Sequence, residues 1–164
     1  MKIVSLLPAA SELLVNLGLL DQIVAVSHEC NYPEILKTKF QITSSNIPKN
    51  LDQSAIDLIV TNAIKNKIPL YNINTNKLSD INPDIIVTQG LCDVCAISEN
   101  EIEITLKNKK CVLQSHTKII SLNGTTFDDI CSDVLNLGEL LNKEKTAKYP
   151  VSYTHLTLPT NDLV

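Results

Sequence analysis

Lys2-Ile3-Val4-Ser5-Leu6-Leu7-Pro8-Ala9-Ala10-Ser11-Glu12-Leu13-Leu14-Val15-Asn16-Leu17-Gly18 opens the chain and decides its fold class. Ile3 to Leu7 is a short unbroken apolar run, the pattern of a strand buried on both faces. A helix follows at once, and Gly18 stands where a helix C-terminus favours a left-handed residue. A strand apolar on both sides and followed by a helix is the unit of a parallel sheet with crossover helices. The alternation continues outward. Strands are expected at Lys2–Leu7, Ile23–Ser27, Leu70–Ile73, Asp84–Thr88 and Lys118–Leu122, and helices near Ala10–Leu17, Asp52–Asn66, Glu99–Lys107 and Thr126–Asn142. Asn74 to Ile81 adds a helical turn before Pro83, and residues 41 to 50 read as a polar loop. The expectation is an α/β domain whose parallel sheet carries helices on both faces, with Asn123-Gly124 as the turn into the last helix.

At 164 residues the chain holds one domain, or one and a piece of another. Its 44% hydrophobic and 20% charged residues exclude a disordered chain. A net charge of −4 leaves no basic face for a row of phosphates, so no nucleic-acid partner is expected. Every cation is a Lys, which removes the bidentate Arg clamp for carboxylate or phosphate. No apolar run approaches the roughly 20 residues of a membrane-spanning helix. The first residues read better as strand and helix than as a signal peptide, and the odd number of cysteines, five, points to a reducing compartment. A cytoplasmic location is therefore expected, with the periplasm or cell surface as the alternative.

The character of the sequence changes at Tyr149-Pro150, and Lys143 to Lys148 reads as a continuation of the last helix. Val151-Ser152-Tyr153-Thr154-His155-Leu156-Thr157-Leu158-Pro159-Thr160 resembles one reading frame of a transposon adapter used to prepare sequencing samples. Residues 151 to 164 are therefore expected to be foreign to the fold and not to pack against it.

Two loops at expected strand ends carry the unusual chemistry, Ser27-His28-Glu29-Cys30-Asn31-Tyr32-Pro33 and Thr88-Gln89-Gly90-Leu91-Cys92-Asp93-Val94-Cys95-Ala96. In open α/β sheets ligands bind outside the carboxyl ends of the strands, and parallel strands all finish at one rim. Cys92-x-x-Cys95 has the spacing with which two thiolates hold one tetrahedral metal, and Cys30 with His28 could complete a four-ligand site. The same spacing suits a redox dithiol, or two reduced thiols packed under a loop. Cys111 and Cys131 read as small core residues and His116 as a turn residue. There is no Gly-rich phosphate loop, and Ser5 and Ser11 lack the setting of a nucleophile elbow. Nothing here calls for a catalytic residue, so no enzyme activity is expected.

Lys2 to Leu14, Leu17-Gly18, Val24 to Pro33 and Asn82-Pro83-Asp84-Ile85-Ile86-Val87-Thr88-Gln89 together resemble the substrate-binding proteins of vitamin B12 and iron-chelate ABC transporters. The likeness is strongest to the cobalamin-binding type, in which His-Glu-Cys and Cys-x-Val-Cys-Ala occupy these two loops. It implies two α/β lobes joined by one long helix, with the ligand in the cleft between them. On that reading residues 1 to 142 are the N-terminal lobe and residues 143 to 150 the start of the interlobe helix, so half of the cleft is present. The resemblance implies non-catalytic binding of a cobalamin-like corrinoid, with haem or an iron chelate as the alternative, and no required cofactor beyond a possible bound metal. His28, Glu29, Cys30 and Tyr32 would form one part of the wall and Gln89, Cys92 and Cys95 the other. The family docks its permease through an acidic residue on the lobe surface. Asn76 stands at the matching place here, a departure that weakens the expectation of an ABC permease as partner.

Overall fold

The computed structural model describes residues 1–66, 68–89 and 117–157, the last five of them as backbone. Twelve elements follow one another: β1 (Ile3–Ser5), α1 (Pro8–Asn16), β2 (Ile23–Val26), β3 (Phe40–Gln41), β4 (Thr43–Ser45), α2 (Gln53–Asn66), β5 (Tyr71–Ile73), α3 (Thr75–Ile81), β6 (Ile85–Gln89), β7 (Lys118–Leu122), α4 (Phe127–Leu140) and α5 (Glu144–Thr157). Five strands make one sheet in the order β3-β2-β1-β6-β7, every neighbouring pair parallel. The expected Glu99–Lys107 helix lies outside the described residues.

Both faces of the sheet are covered, as the unbroken apolar strands require. Side chains alternate across a strand. Ile3 of β1 with Ile85 and Val87 of β6 therefore point to one face, where Ala10, Leu14 and Leu17, Leu137 of α4 and Ala147 of α5 pack on them. Val4 and Ile86 point to the other, against Ile42, Ile73 and Leu78 of α3. The β1–β2 register jumps from Ile3 opposite Ile23 to Val4 opposite Ala25, so Val24 is one residue too many. This bulge puts both Val24 and Ala25 on the second face.

Local signals in the sequence set the helix ends. Pro8 opens α1, where its missing N–H costs nothing. Gly18, at φ +74°, closes it with paired bonds from Gly18 N to Val15 O and from Leu19 N to Leu14 O. Leu19 then packs in the same cluster as Leu14, the apolar contact that accompanies this cap. At the start of α4 the Thr126 hydroxyl accepts from Asp129 N, while Asp129 Oδ2 accepts from the N–H groups of Thr125 and Thr126 and from the Thr125 hydroxyl. The bonds from Thr126, then those from Thr125, hold the Asp129 carboxyl below its usual range. We expect Thr126→Ala to cost about 1 kcal/mol of unfolding free energy in urea titration, the usual price of a lost N-cap.

Four expectations are corrected. Residues 41 to 50 are not simply a loop, because Phe40–Gln41 extends the sheet edge and Thr43–Ser45 forms a strand. The strand at Tyr71–Ile73 does not join the parallel sheet; it pairs antiparallel with Thr43–Ser45 in a separate ribbon. Both differences have one cause. These polar strands have no amphipathic pattern of their own and are held by partners distant in sequence, through bonds such as Ile42 N to Val26 O and Asn74 N to Ile42 O. Residues 143 to 148 do not prolong α4, since the chain turns at Asn142 (φ +54°) and α5 folds back against α4. There Gly138 makes the close approach possible, because a Cβ on it would stand 2.3 Å from that of Ala147. Finally, the backbone does not change character at Pro150: α5 runs through it to Thr157, and Val151 is half-buried.

Candidate functional site at the carboxyl rim of the sheet

β2 and β6 flank β1 and run parallel to it, so all three release their chains at the same rim. Hydrogen bonds continue past the strand ends, from Ser27 N to Ser5 O and from Leu6 N to Val87 O, both 2.8 Å. The loop that starts at His28 and the segment after Gln89 therefore leave one edge on either side of β1, as the sequence implies. Strands about 4.8 Å apart put these departures roughly 10 Å from each other.

His28 is the best-anchored polar side chain of the rim. Its backbone N–H donates to Thr43 Oγ1 at 3.0 Å, and its ring Nδ1 lies 2.6 Å from the same oxygen. Thr43 Oγ1 is in turn 3.1 Å from Ser27 Oγ, and Ser27 Oγ accepts from Glu29 N. The Tyr71 ring stands 5.3 Å away, centroid to centroid, tilted by 56°. On the far side of the imidazole, Nε2 is 3.3 Å from Glu29 Oε1, yet the direction of approach is wrong for a hydrogen bond and Nε2 has no bonding partner. The pair is thus a charge contact in reach and not a hydrogen bond.

Cys30 is drawn inside, in contrast to the exposed position expected of a wall residue. The side chain is fully buried in the core cluster with Leu36, and Sγ lies 3.1 Å from Ser11 Oγ, itself 2.8 Å from Ser5 Oγ. Burial pushes the thiol pKa up, against the opposing effect of the Ser11 hydrogen bond. These are the surroundings of a packed, protonated thiol. Tyr32 is exposed at 66% and Glu29 is exposed, while Gln89 is half-buried at the end of β6 opposite Leu122. Cys92, Cys95, Cys111 and His116 lie outside the described residues. Among the described residues no three His, Cys, Asp or Glu side chains stand close enough together to hold a metal ion. Asn76 is exposed on α3.

Sequence reasoning passes over Thr43, Ser27 and Tyr71. Thr43 falls in a stretch that reads as a polar loop, and only the β4–β5 pairing brings it under the imidazole. A cavity of about 480 Å³ elsewhere, between α1, α4 and α5, is lined by apolar groups such as Leu13, Leu17, Ile130 and Val134, with Cys131 and Tyr149 its titratable members. It shares no residue with the rim. Having few polar groups to fix a ligand's orientation, it is a weaker candidate than its volume suggests.

No family model matches the sequence, and no curated protein does. Solved structures do match. A possible iron-binding periplasmic solute-binding protein from Staphylococcus epidermidis shares 23% identity, with 94% of this chain and 47% of that one covered at a TM-score of 0.59. The chain has the fold of one lobe of a periplasmic solute-binding protein. A periplasmic haem-binding protein from Pseudomonas aeruginosa (16% identity, 94% of this chain, 43% of that one, TM-score 0.58) and the periplasmic vitamin B12-binding protein of Vibrio cholerae (20%, 90%, 45%, 0.57) superpose in the same way. The structural neighbours are thus solute-binding proteins of the iron, haem and B12 transport type, and the lobe spans a little under half of their length. Among the described residues no helix is long and apolar enough to cross a membrane.

Proposed function

We propose that the lobe binds a cobalamin-like corrinoid at the rim and hands it to an ABC permease, without catalysing a reaction on it. The observation that carries this reading is the parallel register that ends β2 and β6 at one edge, on either side of β1. It sets His28, Glu29 and Tyr32 beside Gln89 and the segment containing Cys92 and Cys95. Tyr32 and Gln89 would meet amide side chains of the macrocycle. The imidazole of His28, or the thiolates of Cys92 and Cys95, would face its metal. The neighbours' ligands support haem or an iron chelate equally well; the His-Glu-Cys and Cys-x-Val-Cys-Ala loops turn the choice toward a corrinoid. A redox role for Cys92 and Cys95 has their spacing alone behind it. Because the neighbours are described as periplasmic, we favour the periplasm or cell surface over the cytoplasm.

Calorimetric titration of the chain with cobalamin, haemin and a ferric siderophore tests the reading. Saturable binding with cobalamin the tightest is expected. Tyr32→Ala and Gln89→Ala should each weaken it about 5- to 10-fold, the worth of one hydrogen bond of about 1 kcal/mol. Haemin binding more tightly than cobalamin would move the assignment to haem, and no saturable binding of any of the three would overturn it.

A further inference from the structure

Thr43 Oγ1 has one proton and two lone pairs to divide among three neighbours. The His28 backbone N–H takes one lone pair, leaving one lone pair and the proton for His28 Nδ1 and Ser27 Oγ. If Thr43 donated to Nδ1, the neutral ring would carry its proton on Nε2, a buried atom with no acceptor in line, since Glu29 Oε1 at 3.3 Å lies out of line. A buried N–H without an acceptor is costly. If instead Nδ1–H donates to Thr43 and Thr43 to Ser27, every proton of the chain has an acceptor. What is left over is the Nε2 lone pair, beside a carboxylate oxygen.

We infer that His28 is held with its proton on Nδ1 so that Nε2 serves as an axial ligand to the metal of an incoming macrocyclic chelate, with Thr43 as the positioning residue. This rests on the proposed binding function and names the atom that performs it. Two features of the site fix the class of ligand. An imidazole whose second nitrogen bonds a fixed oxygen is the arrangement that orients metal-binding histidines. The described residues offer no third donor near it, so the metal must bring most of its coordination shell with it, as a tetrapyrrole-type chelate with an open axial position does. Nε2 is covered in the empty protein, and the exposed Glu29 side chain is free to swing away as the metal arrives.

The probe is cob(II)inamide, a corrinoid with no nucleotide base of its own, added to the full chain labelled with ¹⁵N in its histidines. Electron paramagnetic resonance should show each high-field cobalt line split in two by one ¹⁵N nucleus. His28→Ala should lose the splitting, and added ¹⁵N-imidazole should restore it. Thr43→Val should lower the ligated fraction about 10-fold at a fixed cobinamide concentration. A parallel arm with ferric haem tells the two macrocycles apart by which one is ligated. Long-range ¹H–¹⁵N correlation spectra of the unsubstituted chain, at a pH where imidazoles are neutral, should show His28 protonated at Nδ1, a result that does not depend on any variant folding. A ring protonated at Nε2 overturns the inference. Cobinamide bound without nitrogen splitting also overturns it and leaves the binding function standing, whereas no protein-dependent change up to millimolar cobinamide or haem overturns both.

Discussion

Ile86→Ala should lower the unfolding free energy by about 2–5 kcal/mol, the cost of emptying a closed core site. Ile86 is fully buried in a strand flanked by partners on both sides, opposite Val4 of β1 and Ile119 of β7. Its side chain enters the smaller of the two core clusters, where Ile42, Ile73 and Leu78 are its company. This cluster is closed by the two-stranded ribbon and by α3, a helix of seven residues, so few side chains can move in to refill the space. Urea titration should show a lower midpoint with an unchanged slope. Leu58→Ala on α2, at a side chain 71% exposed, is the control and should stay within about 0.5 kcal/mol. A loss under about 1 kcal/mol at Ile86 would mean that the second face is not sealed.

The second large effect is at Cys30. Iodoacetamide at pH 8 should modify it at least about 100-fold more slowly in the folded chain than in denaturant, because reaction must await an opening that costs a few kcal/mol. Two features combine: the thiol is fully buried, and desolvation raises its pKa above the ordinary value of 9.0, so little thiolate is present to react. The same shift has a consequence for stability, and its sign is definite. Above the ordinary thiol pKa the unfolded chain releases the proton while the folded chain keeps it, so the unfolded state binds fewer protons and stability falls as pH rises. The contribution is intact below about pH 8.5 and is lost as pH climbs through the raised value. Thermal melts between pH 7 and 10 should show a steeper decline for the natural chain than for Cys30→Ala. Peptide mapping that finds Cys30 alkylated at the rate of the denatured chain would refute its burial.

Much of the architecture is legible in local pattern. Ile3 to Leu7, Ile23 to Ser27 and Asp84 to Thr88 are apolar runs too short for helices, and a strand buried on both faces can be little else. Gly18 and Thr126 mark helix ends because the backbone at a terminus needs a left-handed residue or a side-chain acceptor, whatever the rest of the molecule does. The α/β class, the parallel order and the shared rim of the two chemically unusual loops all follow from such near-neighbour constraints.

Tertiary structure alone decided the rest, and the reason is the range of the interactions. Thr43 to Ser45 and Tyr71 to Ile73 carry no pattern that demands a strand; they become a ribbon because each supplies the other's backbone partners across an intervening helix. The ribbon in turn brings Thr43 Oγ1 against both nitrogens on the near side of His28 and sets Tyr71 beside its ring. Spacing in the sequence could nominate His28 and Cys30 together, being two residues apart at a strand end. It could not say that one would turn to the surface with a lone pair to offer and the other would turn inward to Ser11, because which side of the chain meets the core depends on what packs beneath the loop.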